Sequence, residues 1–182
     1  MNRACLPALL FVLALAPAAS GLRVRALTTG DLVREAAVVL RGRVTETRAT
    51  WNERHDQIVT DASVEVLEVL VGRAPAAVTV RQLGGAIGET EYHVAGVRPL
   101  RAQEEVLLFL RTDGTRHYLV GFSQGSLFLS RDPAGRVVVR RETAALELVA
   151  PPRAPRPLTP PDSESYDRLA GEVRRIATEL GR

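Results

Sequence analysis

The sequence predicts a mostly β fold: a small closed or partly open barrel with a short N-terminal helix, an extra hairpin and a C-terminal amphipathic helix. Three observations carry this. Apolar residues alternate with period two in several runs between residues 37 and 139. A glycine and a phase shift interrupt the two longest runs, where the strands of a closed barrel must bend. An amphipathic stripe lies beyond a Pro-rich segment near the end.

The first 20 residues read as a signal peptide, with Arg3 as a basic start, Leu6 to Ala16 as an apolar run and small residues for cleavage near Ala18–Ser20. The expected location is therefore secreted or periplasmic. The run is shorter than the roughly 20 residues that cross a bilayer, and no later segment qualifies, so no transmembrane segment is expected in the mature chain. Cys5, the only cysteine, falls inside this leader, which leaves no disulfide to form.

Residues 21–150 form the expected barrel domain. From about Leu27 to Ala37 a short helix is expected, with Thr29 or Asp31 as its cap and Leu32, Ala36 and Ala37 facing inward. In the run from Ala37 to Trp51, Val38, Leu40, Gly42 and Val44 share one face, and Gly42 marks a bend. The run from Ile58 to Val71 changes phase near Val66 and Leu67, the signature of a β-bulge. Val78 and Val80 belong to a third strand.

Val106 to Leu110 is apolar at every position, so both faces of that strand must be covered. Asp113-Gly114 is a tight-turn signal, with His117 to Phe122 as the hairpin partner. A further hairpin joins Leu127–Leu129 to Val137–Val139 through Asp132-Pro133-Ala134-Gly135. Residues 151–162 read as a Pro-rich linker and 163–182 as the terminal helix. There Tyr166, Leu169, Val173, Ile176 and Leu180 make one stripe, which either packs on its own barrel or docks on a partner.

All 24 basic residues are Arg, set against 21 acidic residues. The barrel region carries 17 Arg and 16 acids, so it lacks the basic asymmetry of a phosphate-binding surface, and no nucleic-acid partner is expected.

Five main strands, a bent first strand and a bulged second point to an OB-like barrel. The run Asp31 to Val44 with Trp51 after it, the run Val64 to Gly72, Val78-Thr79-Val80-Arg81-Gln82 and Val120-Gly121-Phe122-Ser123-Gln124-Gly125 together resemble an uncharacterised family of secreted bacterial proteins. More distantly, a short helix leading into a long strand, and a strand ending in Leu70-Val71-Gly72, are similar to netrin-like modules such as the tissue inhibitors of metalloproteases. That resemblance implies an OB barrel. It does not carry the inhibitory mechanism across, because that mechanism needs an N-terminal cysteine.

Several motifs could carry chemistry. Gly121-Phe122-Ser123-Gln124-Gly125 matches the G-x-S-x-G of a serine hydrolase, but Ser126 to Ser130 alternates like a strand, and His117 is the last His. His55, His93 and His117 have no recognised metal-ligand spacing. The segment Gly84 to Gln103 is either a recognition loop holding Glu91, Tyr92, His93, Arg98 and Arg101 or a hairpin flap. Phe109, Tyr118, Phe122 and Phe128 are assigned to the core, which leaves Trp51, Tyr92 and Tyr166 as candidate exposed aromatics.

The reading that follows is an exported, non-enzymatic binding domain with no cofactor, whose partner is a protein or glycan of the cell envelope. The expected surface is Trp51, Arg54 and His55 in the first inter-strand loop, joined by Tyr92 and His93. Trp51 as a plug in the barrel end is the competing reading. The alternative function is a serine hydrolase using Ser123, or a metal-dependent enzyme using the His residues.

Overall fold

The computed structural model describes residues 22–142, 146–149 and 163–182. The expected leader (1–20) and Pro-rich linker (151–162) lie outside the described residues. In chain order the elements are β1 (Leu22–Arg25), α1 (Thr29–Glu35), β2 (Val38–Trp51), β3 (Ile58–Val71), β4 (Ala77–Leu83), β5 (Gly85–Ile87) and β6 (Thr90–Tyr92). There follow β7 (Glu105–Thr112), β8 (His117–Leu119), a 3-10 turn (Phe122–Gly125), β9 (Ser126–Arg131), β10 (Val137–Arg141), β11 (Leu146–Val149), β12 (Ser163–Ser165) and α2 (Tyr166–Glu179). Among the described residues no helix is long and apolar enough to cross a membrane.

Five strands close into the barrel. β2 pairs antiparallel with β3 and with β7, and β3 pairs antiparallel with β4. β4 then meets β8 in parallel, and β8 returns antiparallel to β7. That order, with its single parallel seam, is the OB-like barrel the sequence predicts. The expected extra hairpin, β9 and β10, extends the sheet beyond β7, and β12 adds an edge strand to β10.

Closure depends on the bends read from the sequence. Arg41 faces Glu68 and the next residue, Gly42, faces Val66, so Leu67 is the extra residue of a bulge. A Cβ on Gly42 would lie 2.5 Å from Val64 Cγ1 and 2.6 Å from the Glu65 carbonyl oxygen. Only glycine lets β3 cross so closely.

The core has two compartments, divided by the sheet. Val38, Leu40, Val44, Ala62, Val64, Val80, Val106, Leu108 and Leu110 fill the barrel interior. On the other side, Val39, Leu107, Phe109 and Val120 pack against α1 and α2. This explains the unbroken apolar run of β7: its even-numbered residues point into the barrel and its odd-numbered ones meet the helices.

Both helices are held by specific contacts. The N-cap of α1 is Thr28, one residue before the expected Thr29. Its hydroxyl accepts from the Asp31 amide while the Asp31 carboxylate accepts from the Thr28 amide, a complete capping box. In α2, Tyr166, Leu169 and Val173 are buried in the outer compartment, so the stripe packs on its own barrel. Tyr166 is thereby corrected from exposed aromatic to core, and its hydroxyl donates to Glu68.

Candidate functional site

The β2–β3 ribbon runs past the barrel end and turns at residues 52–57. Asn52 builds that turn. Its side-chain amide donates to Asp56 at 2.6 Å, its side-chain carbonyl accepts from the Asp56 amide at 3.1 Å, and its backbone amide donates to the Gln57 carbonyl. His55 is forced to a φ of 54°, uncommon for a residue with a side chain. Arg54 lies 3.6 Å from Asp56, with both side chains open to water. Trp51, at the end of β2, is 41% exposed. It is therefore not a plug in the barrel end.

The segment after β4 is a hairpin flap, not an open loop. β5 and β6 pair so that Tyr92 faces Gly85. The flap is stitched to the ribbon at its stem. The Gly84 amide donates to the Ile58 carbonyl at 2.9 Å, and the Thr60 hydroxyl donates to the Gly84 carbonyl at 2.7 Å. Gly85 nestles against Ala49, Ile58 and Thr60, where a Cβ would collide with the Thr60 hydroxyl. Ile58 in turn pairs with Trp51. The expected site residues thus fall on two elements that pack together: Trp51, Arg54 and His55 on the ribbon tip, Tyr92 and His93 on the flap, all exposed.

Arg98, one of the expected recognition residues, is engaged within the fold. Arg98 forms two hydrogen bonds to Glu104, at 2.6 and 2.8 Å, and one to Glu142 at 2.8 Å. Its guanidinium also stacks 3.5 Å from the centre of the Phe128 ring. Burial would raise the Glu104 carboxyl, but hydrogen bonds from Arg98 and the Arg101 amide hold it below its usual value. This cluster fastens the long connection to the barrel. Gln82 does the same from β4, donating to the Arg98 carbonyl and accepting from the Leu100 amide.

Ser123 is 1% exposed, and its hydroxyl donates to the Gly96 carbonyl at 2.6 Å. It sits in the 3-10 turn, followed by β9 rather than by a helix. Gly125 is required for a reason unrelated to nucleophilicity: a Cβ there would strike the backbone of Val120. Among the described residues no three His, Cys, Asp or Glu side chains gather as a metal site. His117 lies on β8 opposite Val80 and Thr112.

A second concave surface went unread in the sequence. Beyond the two paired positions of the β4–β8 seam, the strands diverge over a groove of about 260 Å³. Leu83, Val97, Leu119 and Phe122 line it, with Arg111 and Tyr118 at its side. The hairpin partner of β7 ends at Leu119, short of the expected Phe122, because Gly121 and Phe122 both turn to the left-handed region, at φ of 61° and 58°. That turn swings the Phe122 ring outward to 41% exposure and corrects its assignment to the core. The sequence signal was the Gly121 that precedes Phe122, a residue free to start such a reversal.

No protein-family model and no curated protein matches the chain.

Proposed function

We propose that the chain is an exported, non-enzymatic binding domain, and that the ribbon tip with its flap is the surface that takes a protein or glycan partner of the cell envelope. The observation that carries this is Trp51: a large aromatic side chain left 41% exposed at the end of β2, next to a turn built by Asn52. Trp, Tyr and Arg are the residues on which interface energy concentrates, and Tyr92 and Arg54 stand on the same two elements. The likeness to netrin-like modules belongs to this reading as a matter of barrel type and brings no activity with it. A serine hydrolase would need the Ser123 hydroxyl in the open and facing a base, and here it is enclosed against a carbonyl.

The reading is tested by capture from an envelope fraction with the chain and with its Trp51→Ala, Arg54→Ala double variant. A partner held by the first and lost by the second, at equal melting temperature, supports it. A partner held equally by both overturns the site, and covalent labelling of Ser123 by a serine-reactive phosphonate overturns the non-enzymatic reading. Export is tested separately by sequencing the N-terminus of the released chain, which is expected near Ala18–Ser20.

A further inference from the structure

We propose that the groove at the diverging β4–β8 seam is a binding site for a small apolar carboxylate, separate from the ribbon-tip surface. Only Val80 with His117 and Arg81 with Tyr118 pair across the seam, and past them the strands part. The walls of the gap are Leu83, Val97, Leu119 and the outward-turned Phe122. Leu83 and Phe122 are each 41% exposed, an apolar pair left facing water in one concavity. Phe122 holds that position at a φ of 58°, a backbone state that is costly for a bulky side chain and that recurs at ligand-binding sites.

Charge defines the other half of the ligand. Register places Arg48, Asp61, Arg81, Tyr118 and Arg111 in one row around the barrel, one residue from each strand. Two hydrogen bonds, at 2.7 and 2.5 Å, commit Arg81 to Asp61. Arg111 also lines the groove, and among the described residues no carboxylate lies within ion-pair distance of it. Burial and the hydrogen-bonded Asp113 carboxylate push the Tyr118 hydroxyl above its usual pKa. An unpaired guanidinium at the side of an apolar groove complements a carboxylate on an apolar body. A volume of about 260 Å³ is just under the roughly 300 Å³ at which ligand pockets begin, which limits the occupant to a short chain or a single ring.

The probe is octanoate below its micellar concentration, titrated into the isotope-labelled chain and followed by amide chemical shifts, with octanol and octylamine as controls. Saturable shifts confined to the amides of Leu83, Leu119, Gly121 and Phe122 are expected, with octanol about tenfold weaker and octylamine weaker still. Arg111→Gln is expected to reduce octanoate binding to the level of octanol and to leave octanol unchanged. Phe122→Gly is expected to weaken both ligands while raising the melting temperature, because glycine relieves the left-handed backbone. Equal affinity for octanoate and octanol, an unaltered octanoate affinity in Arg111→Gln, or shifts centred on the ribbon tip would each overturn the proposal. None of these outcomes bears on partner capture at Trp51, so the two sites fail or stand independently.

Discussion

The hydroxyl of Tyr166 donates to the carboxylate of Glu68 at 2.5 Å, joining residues 98 positions apart and tying the start of α2 to the bulged half of β3. Arg174 reaches the same carboxylate, and the Arg41 guanidinium lies 4.8 Å from the centre of the Tyr166 ring. Tyr166→Phe keeps the packing and removes the bond, at an expected cost of about 1.5–3 kcal/mol in chemical denaturation. Burial, with Glu68 alongside, raises the Tyr166 pKa far above its ordinary value. The fold therefore binds this proton more tightly than the unfolded chain does. The stabilisation is complete below about pH 10 and declines as the pH rises further towards the folded value. The variant should lack that part of the alkaline decline; an unchanged alkaline limb would refute the role of the bond.

Glu104 behaves in the opposite sense. Arg98 and Arg101 hold its carboxyl below the usual range in spite of its burial. Its contribution is present above about pH 4.3, the unfolded value, and is lost as the pH falls through the folded one. Glu104→Gln should cost about 1.5–3 kcal/mol at pH 7 and less at pH 3, measured by urea unfolding at both. Equal losses at the two pH values would remove the ionic explanation.

Ser123→Ala should cost about 1 kcal/mol, the net value of one buried hydrogen bond, and leave partner capture intact. A loss of capture with the melting temperature preserved would show that the hydroxyl does more than hold Gly96.

Two glycines test the packing of the barrel. Gly42→Ala places a methyl against Val64 and the Glu65 carbonyl, and Gly125→Ala drives one into the Val120 backbone. Each should cost at least the 1–3 kcal/mol typical of overpacking. Gly171→Ala, on α2 with nothing near its Cβ, should instead gain about 0.5–1 kcal/mol from helix propensity. Thermal scans of the three variants check the ordering.

Trp51→Ala and Arg54→Ala should shift stability by no more than about 0.5 kcal/mol each, as for surface residues outside any network. A larger loss at Trp51 would mean that the indole supports the ribbon.

What could be read from the sequence was local. The alternation of β2, the phase slip at Leu67 and the two-sided burial of β7 all follow from side-chain periodicity, which the chain displays without its partners. The stripe of α2 was equally plain, although what it covers was not, and the exposure of Trp51 at the end of β2 stood open against a plug in the barrel end. What escaped was set by tertiary placement. Phe122 has the composition of a core residue and is outside it because Gly121 reverses the backbone just before it. Tyr166 resembles a surface residue and is buried because Glu68 and Arg41 meet it from distant strands. Arg98 looked free for recognition until Glu104, Glu142 and Phe128 closed around it. The parallel seam between β4 and β8 spans only two residue pairs, too few to leave a pattern, and it opens the groove.

The cover that α2 provides has a consequence for the order in which the molecule is made. Leu107, Phe109 and Val139 are shielded by a helix that follows every barrel strand in the chain. Until Tyr166 and Leu169 arrive, a nearly finished barrel presents a bare apolar sheet face, the kind of transient surface that invites aggregation. A chain truncated before Ser163 should therefore collect in the insoluble fraction even though every barrel strand is present, and restoring the missing helix as a separate peptide during refolding should recover soluble protein.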